Sequence, residues 1–140
     1  MNTNGMIWLG LALLTFVLMC ESSGCADDPG ARACGTPRTG NAHLMVEAFC
    51  DEHAIYCEVD NSVCHLGATG NLMLHWCPSY CSEDLDRCEF VLWHELAHID
   101  GIEDQTGADC YAARNASSTA TDAALCSMAP ERAAEVRACR

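Results

Sequence analysis

Two histidines flank a glutamate in His94-Glu95-Leu96-Ala97-His98. On a helix, positions i and i+4 stand one above the other on a single face. Two imidazoles so placed can reach one zinc ion that keeps an open position for water. Glu95, next to the first histidine, is placed to take a proton from that water. The chemistry needs a helix. Phe90-Val91-Leu92-Trp93 before the motif and Ile99 after it supply the apolar residues, Glu83 and Asp84 suit a helix start, and Gly101 suits a stop. The competing reading is a buried amphipathic helix whose histidines are only hydrogen-bonded.

The elements that must hold this helix can be read outward from it. Ala42–His53 carries Leu44, Val46, Ala48 and Phe49 among polar residues and predicts a helix. Residues 54–59 predict a short strand, residues 67–71 a turn, and Leu72-Met73-Leu74-His75-Trp76 a second strand. Cys77-Pro78-Ser79-Tyr80-Cys81 reads as a stapled loop. Ser82 or Asp84 caps the helix of the motif, which runs to about Ile99. Asp100 to Gly107 reads as a polar loop, followed by Ala-rich helices over 119–128 and 130–138, with Pro130 in the first turn of the second.

The chain has 140 residues and 12 cysteines. An apolar run, Met6–Met19, precedes Glu21-Ser22-Ser23-Gly24-Cys25-Ala26. It is short for a membrane-spanning helix, which needs about 20 residues, and suits a signal-peptide core. Residues 1–26 therefore read as a signal peptide, with Cys25 as a candidate site of lipid attachment, and 27–41 as an extended Gly/Pro-rich leader. Residues 42–140 read as one small domain. Beyond the signal stand Cys34, Cys50, Cys57, Cys64, Cys77, Cys81, Cys88, Cys110, Cys126 and Cys139, an even set with no C-x-x-C pair. That predicts disulfides in an extracytoplasmic setting rather than a cysteine zinc site. The spacing leaves the connectivity open. Asn115-Ala116-Ser117 is a glycosylation sequon that matters only in a eukaryotic secretory host. The net charge of −13 argues against nucleic-acid binding and favours cationic partners. The basic residues are all Arg; codon bias accounts for that as well as selection does.

A catalytic zinc needs a third protein ligand. Glu131 and Glu135 are candidates from a later helix. The run His94 to Asp104 resembles the H-E-x-x-H-x-x-G-x-x-H/D pattern of metzincins, with Gly101 and Asp104 in place and Met128 as a candidate Met-turn. A wider stretch, roughly Phe49 to Ala138, resembles the aspzincin (deuterolysin-like) family. The resemblance rests on the motif itself, on Leu72 to Tyr80 before it, on Cys50 and Cys57, on Gln105-Thr106-Gly107-Ala108-Asp109-Cys110-Tyr111 after it, and on Ala124 to Ala134. It implies a small, mainly helical α+β zincin-like domain stapled by disulfides. It also implies Zn2+ held by His94, His98 and Asp109, Glu95 as general base, and Tyr111 as oxyanion donor. Two departures stand out. Thr106-Gly107 replaces the usual Gly-Thr, and Tyr111 comes one residue earlier than the family's tyrosine, whose position is taken by Ala112.

The expectation is thus a secreted zinc metalloendopeptidase. It would be monomeric, act on protein or peptide substrates, basic ones included, and meet a membrane only through a lipid anchor. The absence of Lys suits an enzyme that cuts before lysine. Asp104 and Asp109 compete for one coordination position. The alternative function is a disulfide-rich secreted binding module or a non-catalytic peptidase homologue. Among the scattered histidines His43, His53, His65 and His75, the last is the one placed to line a substrate cleft.

Overall fold

Among the described residues, each helix is set by a residue at its start that can be picked out in the chain. The structure, a computed structural model, describes residues 34–60, 67–69 and 73–140, all within one unit, Arg32–Arg140. The expected signal segment, residues 27–33 of the leader, and His65 lie outside the described residues. Asn41 caps α1 (Ala42–His53) by accepting from the His43 amide, and Ala54 ends it in the left-handed conformation at φ 54°. Three short strands follow: β1 (Tyr56–Val59), β2 (Gly67–Thr69) and β3 (Met73–Trp76). They form one sheet in the order β1-β3-β2, with β1 parallel and β2 antiparallel to β3. The turn expected over 67–71 is thus in part a strand. Its pairing with β3 matches Gly67 to His75 and Thr69 to Met73; tertiary pairing overrides the turn signal of the glycines.

The expected loop at Cys77–Cys81 is also an element, α2 (Pro78–Glu83), with Pro78 in its first turn. Asp84 then caps α3 (Leu85–Ile99), its side chain accepting from the Arg87 amide at 2.9 Å. Gly101, at φ 95°, turns the chain out of α3. The larger difference comes next. Residues 105–115, part of them expected as loop, form α4 (Gln105–Asn115), capped by Asp104. Helices α5 (Ser118–Ser127) and α6 (Pro130–Ala138) close the chain, with Ser117 capping α5 and Pro130 opening α6.

α3 is the axis of the molecule because both of its flanks are apolar. Leu92 and Leu96 join Val46, Phe49, Leu74 and Trp76 in one core, between α1 and the sheet. Phe90 joins Ala112, Ala120, Ala124, Leu125 and Val136 in a second, between α4, α5 and α6. Trp93 packs partly buried against both. The second core is built from small residues, so its helices approach α3 closely.

Disulfides tie these layers together: Cys34–Cys126, Cys50–Cys57, Cys81–Cys88 and Cys110–Cys139, with Cys77 also disulfide-bonded. The result is a mainly helical α+β domain stapled by disulfides, as the sequence leads one to expect. No helix among the described residues is long and apolar enough to cross a membrane.

Candidate metal centre

His94 and His98 stand one turn apart on α3, with ring centroids 4.8 Å apart and planes at 84°. His94 is 8% exposed, and His98 is only partly buried. Each ring uses its Nδ1 on a group that can only accept. His94 Nδ1 is 2.8 Å from Asp109 Oδ1, and His98 Nδ1 is 2.6 Å from the Ile102 carbonyl oxygen. The Ile102 carbonyl comes within reach because Gly101 bends the chain back, the Ile102 amide bonding to the Ala97 carbonyl at 2.9 Å. A carbonyl or carboxylate accepts, so both Nδ1 atoms carry the proton. In the neutral rings, both lone pairs then sit on Nε2.

Those two Nε2 atoms are 3.1 Å apart. Two nitrogens facing each other with lone pairs and no proton repel; a cation between them, a proton or a metal ion, removes the conflict. Two nitrogens on one tetrahedral zinc stand about 3.3 Å apart, from Zn–N distances near 2.05 Å. A ring whose far N–H donates to a carboxylate or a backbone carbonyl is also how zinc-bound histidines are oriented. The histidine pair therefore fits a metal in tautomer, direction and separation.

The third expected ligand falls elsewhere. Asp109, expected beside the open nitrogens, lies behind His94 on its Nδ1 side. It is 1% exposed, and its second oxygen, Oδ2, accepts from Arg132 Nε of α6. The reason is the unexpected helix: α4 directs Asp109 toward the junction with α6 instead of leaving it on a loop over the histidines. Burial opposes the charged carboxylate, but the hydrogen bonds from His94 and Arg132 and the attraction of both outweigh it, holding its pKa below the ordinary value. The same contact raises that of Arg132.

Asp104 is likewise occupied, as the cap of α4, with Oδ1 accepting from the Gly107 amide at 2.6 Å. Among the described residues no three His, Cys, Asp or Glu side chains form a metal-holding group. The polar side chain that does meet the histidines is Gln105, in the first turn of α4. Its Oε1 is 3.1 Å from His94 Nε2, and its Nε2 is 3.2 Å from His98 Nε2.

The remaining candidates are dispersed. Glu95 is partly buried on α3 between the two histidines. Tyr111, expected as oxyanion donor, donates its hydroxyl to Asp100 Oδ2 at 3.1 Å. Burial, then this bond and the charge of Asp100, raise its pKa. Glu135 accepts from Thr106 Oγ1 at 3.5 Å, and Met128 packs against the small-residue core. His75 pairs with Glu58 at 3.4 Å, on the face of β3 opposite the buried Leu74 and Trp76. His43 stands near Glu47 and edge-on to Trp76, while His53 meets Phe49 at a tilt and Trp93 edge-on, the latter two rings also touching each other.

Arg132 and Gln105 are the residues of this cluster that sequence reasoning misses. An arginine on an Ala-rich helix carries no signal of what it will face. Gln105 lies inside the stretch that carries the family resemblance, but an amide is not among the usual zinc donors. No protein-family model, curated protein or solved structure matches the chain.

Proposed function

We propose that this protein is an extracytoplasmic zinc-dependent metallopeptidase whose centre is built on α3. The observation that carries the reading is the pair of Nε2 atoms 3.1 Å apart, with both Nδ1 atoms committed to acceptors. His94 and His98 are the residues that would hold the ion, and Asp109, backed by Arg132, fixes the ring of His94. Zinc held there would supply Lewis acidity toward a carbonyl and would make water more acidic. Glu95, between the two histidines on the same helix, takes the proton of the attacking water and returns it to the leaving amine. The family resemblance of residues 49–138 supports peptide-bond hydrolysis as the reaction. The net charge of −13 supports basic substrates, and the disulfides support an oxidising compartment.

A second reading is a zinc-holding protein without hydrolytic activity. It is favoured by Tyr111, whose hydroxyl is engaged by Asp100. One experiment separates the two: zinc content and casein hydrolysis of the purified protein, with and without chelator, beside Glu95→Gln. The peptidase reading expects about one zinc per chain, chelator-sensitive hydrolysis, and a Glu95→Gln protein that keeps zinc but loses at least ~100-fold in rate. Zinc without hydrolysis in the unmodified chain assigns the second reading. Hydrolysis retained by Glu95→Gln removes the proposed base.

A further inference from the structure

Resting on the reading of His94 and His98 as zinc ligands, we propose that Gln105 supplies the third protein donor through its side-chain amide oxygen. The geometry points to it by position and by exclusion. The Gln105 amide stands against both open nitrogens, 3.1 Å from one and 3.2 Å from the other, while those nitrogens are 3.1 Å from each other. The separations of His94 Nε2 from His98 Nε2 and from the amide oxygen match two edges of one tetrahedral face, about 3.3 Å for donors near 2.05 Å from zinc. The amide places oxygen toward His94 and nitrogen toward His98. Rotating it by half a turn exchanges the two, so either histidine can have the oxygen as its neighbour.

The amide's surroundings also conflict without a cation. Its oxygen faces a histidine nitrogen whose ring is already protonated on the other side, so acceptor meets acceptor unless a positive charge lies between them.

The two carboxylates expected for this position are engaged elsewhere. Asp109 uses one oxygen on His94 Nδ1 and the other on Arg132, and Asp104 caps α4. Asp104 contributes all the same. As cap it starts α4 one residue before Gln105 and so fixes where that side chain emerges. The donor set becomes two imidazoles and a neutral amide, with the negative charge of Asp109 held behind His94 rather than on the ion. A neutral third donor predicts weaker zinc binding than a carboxylate would give, and Gln105→Glu should tighten it.

The test is zinc affinity by competition against a chromophoric chelator, using the full chain with its disulfides formed. Four proteins are compared: unmodified, His98→Ala, Gln105→Leu and Gln105→Glu. Gln105 is exposed in the first turn of α4, so both of its variants should fold, as circular dichroism and thermal melting will report. The proposal expects Gln105→Leu to weaken zinc by more than about tenfold and Gln105→Glu to match or exceed the unmodified chain; about tenfold is the lower end of what even an outer hydrogen-bond partner costs. A smaller loss in Gln105→Leu, or a loss that Gln105→Glu does not recover, overturns the assignment of Gln105. If zinc is still bound and His98→Ala still loses it, the histidine reading survives that result. An unmodified chain that takes up no zinc overturns both.

Discussion

At the residue scale, the unusual group is Asp109: a carboxylate 1% exposed, with one oxygen on a histidine and the other on an arginine. A buried charge is tolerable only when paired, and removing it leaves two donors facing a void. Arg132 is the less dependent partner, because its side chain is 45% exposed and can turn to water. Asp109→Asn keeps the shape and removes the charge. The expected outcome is a loss of about 1–3 kcal/mol in urea unfolding, smaller than for a fully enclosed pair. Zinc affinity should fall about 10–100-fold, as when an outer partner of a zinc-bound histidine is lost. Arg132→Met should cost less on both counts. If Asp109→Asn leaves zinc affinity unchanged, the carboxylate does not orient His94.

That Asp109 stands beside His94, one turn from His98, was legible in the chain. Its task was not, because a carboxylate's role depends on which nitrogen of the ring it faces. The packing of α4 and α6 against α3 decides that, and no local spacing encodes it.

At the scale of elements, α1, α3 and α6 could be read closely from apolar periodicity and caps, and α5 to within a residue. α4 could not. Its buried face is Ala108, Asp109, Ala112 and Ala113, small residues and an acid, which give no apolar stripe. Thr106-Gly107 just inside its start looks like a break. Gly107 is small there for a reason: a Cβ would stand 2.6 Å from Asp104 Oδ2 and 2.9 Å from Ile102 Cγ2, closing the space the cap needs. The six residues of α2 are too few to show a period at all.

The cap also separates the two readings of Asp104. A serine accepts from the same amide about as well as an aspartate, whereas alanine at a cap costs about 0.5–2 kcal/mol. Asp104→Ser should therefore keep both stability and zinc affinity close to the unmodified protein, while Asp104→Ala should lose about 1 kcal/mol in urea unfolding. Asp104→Ser losing zinc by tenfold or more, with its melting unchanged, would make Asp104 a ligand after all.

At the scale of the whole molecule, two modest cores share one helix, and covalent links hold what burial alone holds weakly. The second core contains Ala112, Ala113, Ala120, Ala124 and Ala133, each burying little apolar surface. The helices that carry Gln105, Asp109 and Arg132 belong to that core, so the geometry behind the histidines depends on a thinly stabilised layer. Two disulfides fasten it. Cys110–Cys139 joins α4 to the end of α6, and Cys34–Cys126 joins the leader to α5 across a separation of 92 residues. By loop-closure entropy, a link of that span stabilises by about 4–5 kcal/mol, against about 2–3 for one spanning 7 residues such as Cys50–Cys57.

Paired serine replacements should rank accordingly. Cys34→Ser with Cys126→Ser should cost the most stability, and Cys50→Ser with Cys57→Ser clearly less, both read from urea midpoints at equal slope. The pair Cys110→Ser with Cys139→Ser should add a second effect. By loosening α4 against α6, it should lower zinc affinity even where the protein remains folded, whereas the Cys50/Cys57 pair, on the other core, should not. Equal zinc affinity in those two variants would show that the small-residue layer does not set the position of the groups behind His94.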